Sequence, residues 1–247
     1  YGGDAEKAKK VRVAFLKTIP RQDIVTKLIQ PINPDAQVNN SQTILPGAPG
    51  YDKIAAENGS ADYTNVDIEG AKALLAEAGI TEPVTVNFLY GCSNPRRANE
   101  FALIQESAAL AGFDVQNKCS DTWGSDLGSG VYDAVVFGWQ STSLAVTSSK
   151  ATFASDGGNN LNGYANAAVD AAYEALSTEF DPEKQIELLL SVEKELWADG
   201  YGVTVFQFPG VTAWNGNKVS GVVPAPLAPM FFWNFWEWVQ EGEIVEG

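Results

Sequence analysis

The sequence predicts an α/β fold, a mixed or parallel sheet with helices packed on it. Strand-like runs near residues 84–89, 113–116 and 132–137 are separated by helical segments, which is the βαβ pattern. Several helical segments open on a capping side chain and close on glycine. The chain has 247 residues, 45% hydrophobic and 19% charged, enough to bury a sizeable core in one large domain or two modest ones.

In chain order, residues 1–10 are polar and Lys-rich, and the apolar positions from Val11 to Ile29 read as a helix interrupted at Pro20 and restarted. Residues 30–50 carry Pro, Asn, Ser and Gly without a periodic apolar face and read as a long surface loop. Asp67 caps a helix over 68–78 whose Leu74 and Leu75 face inward, with Gly79 at its stop. A strand at 84–89, a helix at about 98–111, a strand at 113–116 and a strand at 132–137 follow. After a polar loop at 159–166 come a helix at 167–177 and a second one that starts on Asp181-Pro182-Glu183 and runs to Asp199-Gly200. Residues 203–208 read as a buried strand, and after Pro209 come short β-like runs and an aromatic cluster from Phe231 to Trp238.

Composition excludes several function classes. Sixteen Lys and Arg against 31 Asp and Glu give a net charge of −15, which nucleic acid phosphates and anionic lipid headgroups would repel. The absence of histidine removes Ser-His-Asp and Cys-His catalysis and imidazole zinc sites. No run approaches the roughly 18 apolar residues of a membrane span. The chain begins at Tyr1 without an initiator Met or signal-peptide pattern, which reads as a processed or truncated piece.

Carboxylates are the first catalytic candidates: Asp121 with Asp126, or Asp133 with Asp156, in the acid and base roles of a glycosidase. Such pairs also arise by chance among 31 acids, and Asp121 reads more simply as a helix cap and Asp133 as a turn residue. Residues 156–160 have an oxygen-rich, faintly calcium-like composition without the ligand spacing, and read as a turn. Of seven tryptophans, Trp123 opens a short helix after a strand, and Trp139 ends the third strand before Gln140-Ser141-Thr142-Ser143. An aromatic platform beside a hydroxyl and amide run at strand ends suits a binding wall, and equally two indoles that plug the sheet edge. Cys92 and Cys119 lie near the tips of neighbouring strands; one disulfide is expected, two unrelated thiols being the alternative.

Four segments carry a resemblance. Residues Val11-Arg12-Val13-Ala14-Phe15 with Ile19-Pro20-Arg21-Gln22-Asp23-Ile24-Val25, the helix from Asp67 to Gly79, Gly130-Val131-Tyr132-Asp133 through Gly138-Trp139, and Asn162-Gly163-Tyr164-Ala165-Asn166 through Asp170 occur in that order. Together they resemble the second lobe of the family 5 extracellular solute-binding proteins of ABC transporters, the oligopeptide-, dipeptide- and nickel-binding receptors. Pro20 departs from the Asp that many relatives carry there.

The resemblance implies a periplasmic-binding-protein-like (type II) lobe over residues 1–208, and a C-terminal segment, 209–247, that returns toward the hinge and a first lobe absent here. It implies an exported receptor, a cell-surface lipoprotein or periplasmic protein, that passes peptides to ABC permease subunits, with no catalysis, no cofactor and no metal. Sugar uptake is the alternative and a carboxylate-dependent glycosidase a remote one. Ligand contacts are expected from Trp123, Trp139, Gln140, Ser141, Thr142, Ser143, Asn162 and Tyr164. Thr142 stands where peptide-binding relatives place a carboxylate, so a charge-free wall is expected, without a salt bridge to a ligand's amino terminus. The aromatic tail is expected to expose an apolar patch.

Overall fold

The computed structural model describes residues 3–139, 146–224 and 230–241. Its first helix, α1 (Ala5–Lys17), starts earlier than the apolar pattern suggests. Asp4 caps it by accepting from Lys7 N at 3.0 Å, and the Lys-rich stretch, built of good helix formers, becomes its first turns. The break at Pro20 is present: α2 (Arg21–Ile24) restarts there and continues as a wide helical turn over Val25–Ile29, burying Ile24, Val25 and Ile29. Helix α3 (Tyr51–Glu57) precedes α4 (Ile68–Glu77), where Asp67 accepts from Gly70 N at 2.8 Å and Gly79 closes the helix at φ 66°. Leu75 is buried, and Leu74 is half-buried beside it.

The sheet is built from β1 (Val84–Leu89), β2 (Phe113–Asn117) and β3 (Ala134–Val135), in the order β2-β1-β3 with every pairing parallel. Val84 faces Phe113 and Phe88 faces Asn117 across one seam, while Phe88 faces Ala134 across the other. Between β1 and β2 runs α5 (Pro95–Ala109), three residues longer at its start than the apolar face suggests, because Asn94 caps it and Pro95 fills its first position. β3 is shorter than the run 132–137, its ladder ending at Val135. One core cluster joins Val86 and Phe88 of β1, Phe113 and Val115 of β2, Phe101, Ile104 and Ala108 of α5, and Phe15 of α1. The Phe15 and Phe113 rings meet edge to face at 5.3 Å.

After β2 and β3 come two single-turn helices, α6 (Trp123–Asp126) and α7 (Lys150–Phe153). The second core cluster lies between α3, α8 (Ala167–Leu176) and α9 (Pro182–Ala198), with Ile54, Val169, Tyr173, Leu176, Leu189, Val192 and Leu196 buried. Both long helices are capped: Asp181, as its sequence predicts, accepts from Glu183 N at 2.9 Å, and Asn166, the last residue of the polar loop, accepts from Ala168 N at 2.9 Å.

Two expectations are corrected. Residues 203–208 form no strand; Phe206 makes one bridge to Val38, and Asn39 N donates to Val205 O at 3.0 Å. The segment opposite is irregular, so no ladder can extend from that bridge. Nor is 30–50 a surface loop throughout, since Asn39 and Ser41 are buried.

The cause is a buried carboxylate. Glu193 of α9 has no solvent exposure; its Oε1 accepts from Ser41 Oγ (2.6 Å), Gln42 N (2.7 Å), Thr43 N (2.7 Å) and Thr43 Oγ1 (2.9 Å). Its Oε2 accepts from Asn58 Nδ2 (3.1 Å) and Trp197 Nε1 (2.8 Å). On the Trp197 ring, 5.4 Å from its centroid, lies the Arg21 guanidinium. Arg21 donates to Thr204 O (2.7 Å), Tyr63 O (3.2 Å), Asn39 O (2.6 Å) and Asn40 Oδ1 (2.9 Å), and burial pulls its pKa down to about 10, still charged at neutral pH.

In the tail, β4 (Val219–Ser220) and β5 (Val239–Gln240) pair antiparallel around a 3-10 run, Met230–Glu237. Buried Asn234 ties the turn together, donating to Gly221 O (2.8 Å) and accepting from Trp238 Nε1 (3.1 Å). Phe232, Trp233, Phe235 and Trp236 are exposed, as the expected apolar patch requires.

Glu193→Gln turns an acceptor into a donor against groups that all donate. The variant should lose about 3 kcal/mol of stability, or roughly 6–12 °C in melting temperature. A melt within one or two degrees (about 0.5 kcal/mol) of the wild type would show that the carboxylate does not hold the loop.

Candidate ligand-binding wall at the strand ends

Parallel strands send their carboxyl ends to one edge, and the loops leaving that edge converge. Here β1 runs into Gly91 and Cys92, β2 into Cys119 to Trp123, and β3 into Phe137 to Trp139. Cys92 and Cys119 form a disulfide with a Cα separation of 4.9 Å.

Trp123, at the first position of α6, is half-buried; a Cβ on Gly91 would stand 2.7 Å from its Cδ1, so glycine is what lets the indole lie against the β1 loop. The Arg97 guanidinium sits over the indole at 4.1 Å from its centroid. The preceding residue, Arg96, lies 4.7 Å from the Phe208 ring centroid and 5.3 Å from that of Phe206. Phe208 packs on Gly138, where a Cβ would meet it at 2.6 Å, and Phe137 meets Trp139 edge to face at 5.1 Å. Trp139 is 47% and Phe208 51% exposed, so the wall is an open face. The concavities of about 360 Å3 beside Lys150 and Asp170 and about 380 Å3 beside Ile80 and Thr85 lie elsewhere, the latter at the amino end of β1.

Behind the aromatics sits Glu100, 1% exposed and hydrogen-bonded to Arg96 through Oε1. Its Oε2 and the Arg97 Nε are buried without a hydrogen-bond partner. Burial raises the Glu100 pKa, against the pull of Arg96, and burial followed by the nearby Arg96 charge lowers that of Arg97.

Trp139 stands beyond the end of β3 instead of on it. Gln140, Ser141, Thr142 and Ser143 lie outside the described residues. Asn162 and Tyr164 are not at the wall. The Tyr164 hydroxyl donates to Asp199 Oδ2 at 2.9 Å, its amide donates to Asn160 Oδ1 (3.0 Å) and Asn162 Oδ1 (3.3 Å), and its ring meets Tyr201 at 5.3 Å against the second core. Burial, with Asp199, pushes the Tyr164 phenol well above its usual range.

One acid of each candidate pair is internally committed. Asp126 Oδ2 accepts from Ser120 Oγ (2.5 Å) and Thr122 Oγ1 (3.2 Å), and Asp133 Oδ2 from Asn87 N (2.8 Å) and Nδ2 (2.9 Å). The residue before α6 is Thr122, so Asp121 is not its cap. Among the described residues there is no metal-binding cluster.

The wall is not free of charge, since Arg96 and Arg97 lie over its rings, while the expectation that it offers no salt bridge to a ligand's amino terminus falls on Thr142, outside the described residues. A signal was present, since two cations in the first turn of a helix oppose its dipole, a placement local energetics disfavours.

Residues 4–161 match the family model described as bacterial extracellular solute-binding proteins, family 5, middle. The chain belongs to this family of extracellular solute-binding proteins. It is 26% identical over 213 residues to the oligopeptide-binding protein OppA of Mycobacterium tuberculosis, a match covering 83% of the chain and 36% of that protein. An uncharacterized lipoprotein of the same organism is 36% identical over 124 residues, 47% of the chain and 22% of the relative. Among solved structures, the periplasmic EDTA-binding protein EppA superposes with a TM-score of 0.80 at 18% identity, over 95% of this chain and 46% of that one. The periplasmic-binding-protein fold is thereby shown, and the chain spans about a third of the length of the OppA relatives it matches. Among the described residues no helix is long and apolar enough to cross a membrane.

A carboxyl whose folded pKa is raised stabilises the fold below its unfolded pKa, and that contribution is lost as pH rises through the folded value. Glu100→Gln removes this loss. Its stability relative to wild type should therefore increase between pH 4 and pH 7 in urea melts; a relative decrease would mean that the Arg96 pairing outweighs burial.

Proposed function

We propose that this family member is the ligand-binding lobe of the solute-binding component of an ABC importer and that it takes peptides. The observation that carries this reading is the strand-end wall, where Trp123 under Arg97 and Phe208 under Arg96 offer apolar faces and guanidinium edges side by side. Aromatic faces accept peptide side chains and planes without regard to sequence, and a guanidinium suits a carboxylate. The OppA relatives, named for oligopeptide binding, support the same ligand class. Sugar stacking would favour a neutral wall, and Arg97, which makes no ion pair among the described residues while Arg96 pairs with Glu100, tilts the balance toward a ligand with an acidic group.

In this reading residues 1–208 are the lobe, and 209–247 lead toward a second body against which exposed Phe235 and Trp236 pack. The setting is extracytoplasmic, consistent with the family description and the disulfide, and the protein delivers ligand to a permease without chemical change.

The test is native mass spectrometry of the whole protein with a pool of random pentapeptides, in free-acid and C-terminally amidated form. Free acids should bind and amides bind weakly, with Trp123→Ala and Arg97→Ala each costing about tenfold in affinity. Retention of an oligosaccharide pool in place of peptides, or equal binding of acids and amides with Arg97→Ala silent, would overturn the reading.

A further inference from the structure

The disulfide lies where the sheet ends and the wall begins. The parallel pairing of β1 and β2 continues past both strands, with Lys118 N donating to Phe88 O (3.0 Å), Ser120 N to Tyr90 O (2.9 Å) and Cys92 N to Ser120 O (3.3 Å). Gly91 and Ser120 form the isolated parallel bridge there. Beyond it the segments diverge, one into α5 through the Asn94 cap and the other into α6. The hydrogen bonds at the end of a ladder fray most readily. The Cys92–Cys119 bond spans this end, one residue after Gly91 on one side and one before Ser120 on the other.

Trp123 depends on that junction. Its helix has four residues and no side-chain cap, so it anchors itself poorly. The indole is located by Gly91 on the β1 loop and by Arg97 in the first turn of α5, both on the Cys92 side, while its own backbone hangs from the Cys119 side. Parting the two loops would move the indole away from both contacts.

We propose that the Cys92–Cys119 disulfide is a positioning device for the wall, holding the Trp123 indole against Gly91 and under Arg97. Its effect on ligand binding rests on the reading of the wall given above; its effect on Trp123 does not.

The test uses the whole protein labelled with 5-fluorotryptophan, with the Trp123 fluorine resonance assigned from Trp123→Phe. In the ligand-free Cys92→Ser/Cys119→Ser variant that resonance should shift and broaden while the one from buried Trp197 stays in place. Should the serine variant fail to fold, as a displaced Trp197 signal would report, Cys92→Ala/Cys119→Val supplies an apolar pair for the same measurement. A Trp123 resonance unchanged in a folded, disulfide-free variant overturns the proposal.

With the pentapeptide pool, loss of the disulfide and Trp123→Ala should each weaken binding about tenfold, and the combination should cost little more than either. Additive losses, about a hundredfold together, would mean that the bond does not act through Trp123, and overturn its role in binding. If Trp123→Ala binds like wild type while the fluorine signal moves as expected, positioning stands and the wall reading fails.

Discussion

The carboxylate of Glu193 is the interaction on which the arrangement of the molecule depends. It sits in α9, in the second core, yet its acceptor capacity is spent on the 41–43 loop, on Asn58 after α3 and on Trp197. Trp197 carries Arg21 on its ring, and Arg21 gathers carbonyls from residues 39, 63 and 204. Arg21 belongs to α2, which packs with the first core, so a chain of buried polar contacts joins the first and second apolar clusters, which hydrophobic burial alone would leave separate. A buried charge is tolerated only when its hydration is replaced, and here donors replace it. Two backbone N–H groups are among them, so an apolar residue at 193 would strand those donors.

The first core, so located, carries a sheet of three parallel strands whose carboxyl ends share one edge. That constraint brings together residues far apart in sequence: Gly91, Trp123, Gly138 and, from the segment after α9, Phe208. Two glycines receive the aromatic rings, and two arginines cover ring faces. The wall is therefore a product of topology, with each loop contributing one or two residues.

Local signals made much of the fold legible. The caps at Asp67 and Asp181 and the alternation of 84–89 are short-range features, and the structure places each where local chemistry predicts. Non-local partners were not legible. The run 203–208 has strand composition, but whether it pairs depends on the segment opposite, and the 30–50 segment looks exposed until Glu193, some 150 residues later, buries it. At the site, Trp123 and Trp139 were visible as aromatics next to strand ends. Arg96 and Arg97 showed only as cations set against the dipole of α5, because their role rests on Trp123 and Phe208 reaching them from other loops.

The motifs that revealed the family mostly serve the fold. Arg21 is buried among carbonyls, Asp67 caps α4 and pairs with Lys17, Asp170 accepts from Ser155, and Tyr164 is tied to Asp199. Each of these satisfies a buried or terminal polar group that any protein of this architecture must satisfy, whatever its ligand, so a match to them identifies the scaffold and is silent on specificity. Ligand choice must then reside in residues that scaffold chemistry leaves free to vary. In the proposed wall the guanidiniums and rings at the strand ends are of that kind, and beside them a buried Arg97 Nε and a Glu100 oxygen lack hydrogen-bond partners. Polar atoms left unpaired inside an otherwise satisfied fold are costly, so scaffold chemistry alone does not account for this pair.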